Sequence, residues 1–229
     1  MKTVLITGAT DGLGKSIALR LHQAGYSLAL CGRNQEKMEK LVQDFTPDHL
    51  YYECFDITDK DALNAFIQNS IQKLGPIDIL INNAGANFKK ARVEDIDEED
   101  LIGMFNLNCL SHFRCIKALY PSMKERKQGQ IINILSSSCL FDNETMGGYT
   151  ASKKAMQALS NILTKEALED NIRVTSFYPG GIDTNFRVID RPDYLHPDQV
   201  ALIIQQLIEL PEELNVQEYT VRPRVEKNF

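Results

Sequence analysis

Tyr149 and Lys153 stand four residues apart in the segment GGYTASKK. If a helix opens near Gly148, they share one face with side chains about 5–6 Å apart. A free phenol titrates near ~10 and moves protons poorly at neutral pH, but a neighbouring ammonium favours the phenolate and lowers that value. A tuned Tyr149 can then act as general acid or base. Ser136 lies thirteen positions earlier, after an apolar run at 130–135, and its hydroxyl could hold an oxygen on which charge develops. The plainer reading is an exposed Tyr and an exposed Lys on a helix, since so short a motif recurs by chance. The rest of the chain must decide.

A second constellation sits at the start. TGATDGLG, residues 7–14, places Gly8, Gly12 and Gly14 after a short β-branched run and before a helical pattern. Residues without a β-carbon let backbone approach a pyrophosphate, and a helix N-terminus supplies donors and partial positive charge. The alternative is a plain strand-to-helix turn that uses glycine for tight packing. A nucleotide-triphosphatase loop is excluded, because five residues rather than four separate Gly8 from the Gly14-Lys15 pair. After the next apolar run the chain reads CGRN, and Arg33 offers a fork suited to a 2′-phosphate where an acidic residue would suit a ribose. NADP(H) is therefore the expected dinucleotide, with Asp11 adding negative charge inside the turn.

Those residues need a scaffold. Strands are expected at 2–6, 27–31, 51–55, 77–81, 130–135, 172–177 and 216–221, and helices at 13–24, 35–45, 60–73, 98–127, 149–169 and 198–210. Strands apolar throughout, alternating with helices, indicate a parallel sheet covered on both faces. The expected fold class is thus a doubly wound, Rossmann-like α/β three-layer sandwich with seven parallel strands, in a single domain over 1–229. Residues 180–197 are rich in turn formers and read as a short substrate lid. Phe141, Met146, Tyr178 and Phe186 are expected to line a partly apolar pocket, and Arg187 or Arg191 could meet a carboxylate or face solvent.

Composition narrows the function classes. A net charge of −6 with no basic cluster argues against nucleic acid as a partner. The first apolar run is too short for a signal peptide or membrane span, so a cytoplasmic protein with no membrane partner is expected. Five cysteines without Cys-x-x-Cys spacing read as reduced, buried thiols, Cys139 included. Four scattered histidines give no ligand spacing, and no metal is expected.

Thr7-Gly8-x-x-x-Gly12-x-Gly14, Asn82-Asn83-Ala84-Gly85, Asn108, Ser136, Tyr149-x-x-x-Lys153 and Pro179-Gly180 together resemble the classical branch of the short-chain dehydrogenase/reductase family. The resemblance implies that Ser136 polarises the substrate oxygen, Tyr149 exchanges its proton, and Lys153 lowers the Tyr pKa and holds the nicotinamide ribose. It assigns Asn108 to a proton relay through water, Asp56 to adenine, and Asn82 to the strand beside the cofactor. Pro179 and Gly180 would close over the nicotinamide and Thr184 would bond its carboxamide. Further cofactor contacts are implied at Thr10, Asp11, Leu13, Ile57, Ala84, Gly85 and Ile182.

Two features depart from the family pattern. Leu135 replaces a common Ser, leaving Ser137 and Ser138 as other candidate hydroxyls, although the thirteen-residue offset favours Ser136. The ending NVQEYTVRPRVEKNF lacks the glycine pair of many tetramers and looks more like members acting on small hydroxy acids and carbonyls. The resemblance implies an NADP-dependent enzyme for a small carbonyl or secondary alcohol, of the short-chain ketone or hydroxy-acid type. It also implies a homo-oligomer, dimer or tetramer, paired through segments 97–127 and 149–169. The competing readings are a catalytically silent NADP-binding regulator or scaffold, which would lose the Tyr or Lys, and a 3-oxoacyl-thioester reductase, which would need a basic docking patch.

Overall fold

The computed structural model describes residues 1–184 and 191–227. Seven strands form one parallel sheet: β1 (Thr3–Thr7), β2 (Ser27–Gly32), β3 (Leu50–Cys54), β4 (Ile79–Asn82), β5 (Gly129–Ile134), β6 (Ile172–Pro179) and β7 (Glu218–Val221). Their order is β3-β2-β1-β4-β5-β6-β7. The chain runs outward from β1 through β2 to β3, then crosses back to lay β4 on the other side of β1. That reversal opens a crevice at the carboxyl ends of β1 and β4, where such sheets bind ligands.

Among the described residues seven α-helices cover the faces: α1 (Gly12–Gln23), α2 (Gln35–Val42), α3 (Lys60–Leu74), α4 (Glu98–Phe105), α5 (Ser111–Arg126), α6 (Gly147–Glu166) and α7 (Pro197–Glu209). Strand side chains alternate between two dry layers. Leu5 packs with Phe66, Leu119 and Met156 under α3, α5 and α6, while Val4 and Ile6 pack with Ile17, Met38 and Ile204 under α1, α2 and α7. Because both faces are covered, the inner strands read as continuous apolar runs. Helix starts follow their caps: Asp11 accepts from Gly12 N–H, Asn34 from Lys37 N–H, and Asp59 from Asp61 and Ala62 N–H.

The expected strands all form, most with ends shifted by a residue or two. The expected single helix over 98–127 is broken: Asn106–Leu110 winds as a π-helix between α4 and α5. Such π-turns gather at functional sites. Among the described residues no helix is long and apolar enough to cross a membrane.

Candidate active site

The glycine turn forms one end of a cleft of about 730 Å³. Gly8 has φ +68°, and a Cβ there would stand 2.9 Å from Ala84 Cα. At Gly14 a Cβ would stand 2.2 Å from Gly8 O, so only glycine lets α1 begin this close to the turn. Asn83 pins the turn from β4's end, with Nδ2 donating to Thr7 O at 2.9 Å and Gly8 O at 3.1 Å. Arg33, at the end of β2, lines the cleft, and so does Lys37 from the first turn of α2. Lys37 is ion-paired to the Asp11 carboxylate, which also accepts from Gly12 N–H at 2.8 Å. Two cations therefore face the space beside the glycine turn, one of them already holding its acidic neighbour.

The other end is built from side chains. Tyr149 and Lys153, on consecutive turns of α6, both line the cleft, with Lys153 Nζ 6.0 Å from the Tyr149 ring centroid. Lys153 is 3% exposed, and Nζ donates to Ile134 O at 2.9 Å. Burial drives its pKa down to about 8, with the nearby Cys139 and Cys109 thiols opposing the shift. Ser136, just past β5, opens a 3-10 turn formed by Ser137–Cys139. Its Oγ accepts from Ser138 N–H at 3.1 Å and from the Ser138 hydroxyl at 3.0 Å. Both acceptor directions are taken, so its own hydrogen is left for the cleft. Ser138 itself is buried, and of the three candidate hydroxyls Ser136 is the one that lines the cleft.

Behind these groups lies a shell with no solvent contact. Asn108, in the π-helix, accepts from Ala86 N–H and donates to Ala86 O, both at 2.9 Å, and donates to Ser152 Oγ at 3.0 Å. A Cβ on Gly85 would stand 2.9 Å from Asn108 Oδ1 and 3.1 Å from Lys153 Nζ, so the Asn, the Lys and the β4 loop meet over that glycine. His112 Nε2 lies 2.7 Å from Ala84 O. Burial, and then the Lys153 charge, depress its pKa to about 3, so the ring is neutral and donates there. Asn82 Nδ2 donates to Asn133 Oδ1 at 2.9 Å, Asn133 Nδ2 to Ser160 Oγ at 2.9 Å, and Ser160 meets Ser176 at 2.7 Å. This polar row ties β4, β5, α6 and β6 together beneath the cleft floor.

Of the expected site residues, Gly8, Thr10, Asp11, Gly12, Leu13, Gly14, Arg33, Ile57, Ala84, Gly85, Ser136, Tyr149, Lys153, Pro179, Gly180, Ile182 and Thr184 line one continuous cleft. Asn82, Asn108 and Asp56 do not. The first two are wholly buried behind it, while Asp56 is exposed and accepts from Thr58 N–H at 2.9 Å and Thr58 Oγ1 at 2.8 Å. Those two bonds outweigh partial burial and lower its pKa.

The pocket expectation needs correcting at Tyr178. Its ring is 1% exposed in the core, with Oη bonded to Gln157 and Glu218, because its position on β6 points it into the layer under α6. Met146 does line the cleft. Phe141 lies beneath the Arg222 guanidinium, which stands 4.4 Å from its ring centroid. Arg191 pairs with Asp193 and stacks on Tyr194. Phe186 and Arg187 lie outside the described residues. At the base of the expected lid, Asp183 N–H donates to Leu195 O at 2.9 Å and Leu195 N–H to Gly181 O at 3.0 Å.

Sequence reading missed Lys37 and His112. Lys37 stands four positions after Arg33, a signal that was there to be read. His112 carries none, because its contact with Ala84 is set by tertiary packing.

A model of the short chain dehydrogenase family matches residues 2–194. An uncharacterized oxidoreductase of Staphylococcus aureus strain MW2 is 31% identical over 225 residues, covering 97% of each chain. Among solved structures, an alcohol dehydrogenase from the archaeon Thermococcus sibiricus, complexed with 5-hydroxy-NADP, superposes with a TM-score of 0.92 at 27% identity. It covers 100% of this chain and 99% of its own. The serine dehydrogenase of Escherichia coli gives 0.88 at 28% identity, over 98% and 99%. With the Tyr149–Lys153 face, the glycine turn and the sheet order described above, these likenesses show that the chain belongs to the short-chain dehydrogenase family.

Proposed function

We propose that this chain is an NADP(H)-dependent oxidoreductase that moves hydride between the nicotinamide and a small carbonyl or secondary alcohol, of the short-chain ketone or hydroxy-acid type. The observation that carries the reading is the buried Lys153 ammonium beside Tyr149 at the end of a cleft whose other end is a glycine turn. The cradle fits a dinucleotide: the glycines leave no β-carbon in the way, α1 offers its N-terminus, and Arg33 and Lys37 suit a 2′-phosphate. Structural neighbours complexed with NADP support that choice. When bound, the cofactor supplies or accepts the hydride.

The chain's own residues do the rest. Ser136, accepting twice from Ser138, donates its hydrogen to the substrate oxygen and orients the carbonyl. In reduction, Tyr149 passes its phenolic proton to that oxygen as negative charge develops there. Lys153 stabilises the phenolate left behind and is placed to hold the ribose. Asn108 and His112 keep the Ala84–Ala86 backbone fixed against Lys153.

A second copy of the chain completes the reading. Leu110 and Phe113, beside and on α5, are 39% and 40% exposed, and Leu159 and Ile162 on α6 are 42% and 55% exposed, apolar faces that suit a homodimer. Unpaired thiols at all five cysteines support a reducing, cytoplasmic setting.

The test is a spectrophotometric panel of ketones, aldehydes, hydroxy acids and acyl thioesters, run with NADPH and with NADH separately. Turnover of small carbonyls with NADPH preferred is the expected result. Preference for NADH overturns the reading of Arg33 and Lys37, and turnover confined to acyl thioesters overturns the substrate class.

A further inference from the structure

The last described residues press against Gly180, which lines the cleft, and against Phe141, five positions past the cleft-lining Ser136. β7 runs beside β6, and Gly180 N–H donates to Val221 O at 2.8 Å. Glu226 then folds back: Oε1 accepts from Gly181 N–H at 2.7 Å and Oε2 from Arg222 Nε at 3.1 Å. Both side chains are largely buried, 14% and 12% exposed. A Cβ on Gly180 would stand 2.4 Å from Glu226 Oε2, so the carboxylate lies flat on that glycine. On its other side Arg222 covers Phe141, in the segment that joins Ser136 to α6.

One ion pair therefore touches the lid neck at Gly180 and Gly181 and the segment that carries the catalytic hydroxyl. A glycine pair has wide backbone freedom and does not hold a single geometry unaided. A carboxylate on a backbone N–H is a strong, charge-assisted restraint. Removing it also takes one interaction from a mostly buried guanidinium.

We propose that Arg222 and Glu226 are positioning residues, a strap that fixes the spacing between the lid neck and the Phe141 segment and so sets the width of the substrate mouth. The effect on substrate rests on the oxidoreductase reading above. The restraint on the neck does not, and can be read without turnover. The plain alternative is a tail that only adds stability.

Three measurements on the full chain separate these: hydrogen exchange over 177–184, the KM and kcat of a carbonyl substrate, and the melting temperature. In Glu226→Ala, exchange at the neck speeds up about tenfold or more while distant strands keep their protection. The KM rises about tenfold with kcat within about twofold. Glu226→Gln keeps an acceptor for Gly181 N–H and returns both quantities to within about threefold of the parent. The proposal is overturned by unchanged exchange at the neck in Glu226→Ala, by exchange that rises throughout the chain with a falling melting temperature, by an unchanged KM, or by no rescue in Glu226→Gln. If the parent chain turns over no carbonyl, the proposed function fails, and the exchange comparison still decides whether the strap exists.

Discussion

The two ends of the cleft are made in opposite ways. At the glycine turn the work is done by backbone and by an ion pair that stays in water: Lys37 and Asp11 are 48% and 40% exposed. At the other end Lys153 is 3% exposed and Asn108 and His112 are fully buried. An exposed ion pair costs little and contributes little, whereas a buried ammonium costs several kcal/mol unless its surroundings satisfy it. The first end is suited to selecting and releasing a charged ligand. The second holds one fixed polar geometry at the expense of stability.

The largest effect should come from the buried end. Tyr149→Phe keeps the ring and removes the proton, and should lower kcat by about 10²–10⁴ with NADPH affinity, read by fluorescence titration, unchanged within about twofold. Unchanged turnover would erase the distinction between the two ends. Next, Arg33→Ala combined with Lys37→Ala should weaken NADPH by about tenfold or more and leave NADH nearly unaffected. It should also flatten the salt dependence of NADPH binding, since these charges are screened. Equal losses for both cofactors would mean that the cations do not read the 2′-phosphate.

A pH profile sharpens the contrast further. The Lys153 ammonium is fully present below its folded pKa of about 8 and is lost as pH rises through that value. The rate of carbonyl reduction should therefore fall by up to about tenfold per unit above that point. A profile flat to pH 10 would remove Lys153 from the proton chemistry. The smallest effect is on folding. His112 titrates near 3 when folded and near 6.5 when unfolded, so the unfolded chain takes up the proton first as pH falls. Stability is then lost from about 6.5 downward, about 2 kcal/mol of it between pH 7 and pH 5. Urea unfolding of the parent and of His112→Asn at both pH values should show that loss in the parent and much less in the variant.

Much of this was legible in the chain alone. Fully buried strands announce themselves as apolar runs, and Tyr149 and Lys153 share a face because helix geometry leaves no choice. What stayed hidden depends on partners far along the sequence. The π-turn at Asn106–Leu110 lies inside a segment whose overall pattern reads as one helix. Tyr178 was read as pocket-lining because an aromatic near a site invites that reading, yet strand alternation turned it inward. The contact of Glu226 with Gly181 spans 45 positions and exists only because β7 lies beside β6.

Ser136 takes hydrogens on both of its lone-pair directions from Ser138. A hydroxyl so occupied can give and cannot receive. At that wall the cleft presents a hydrogen that suits a bare oxygen better than it suits an amide N–H.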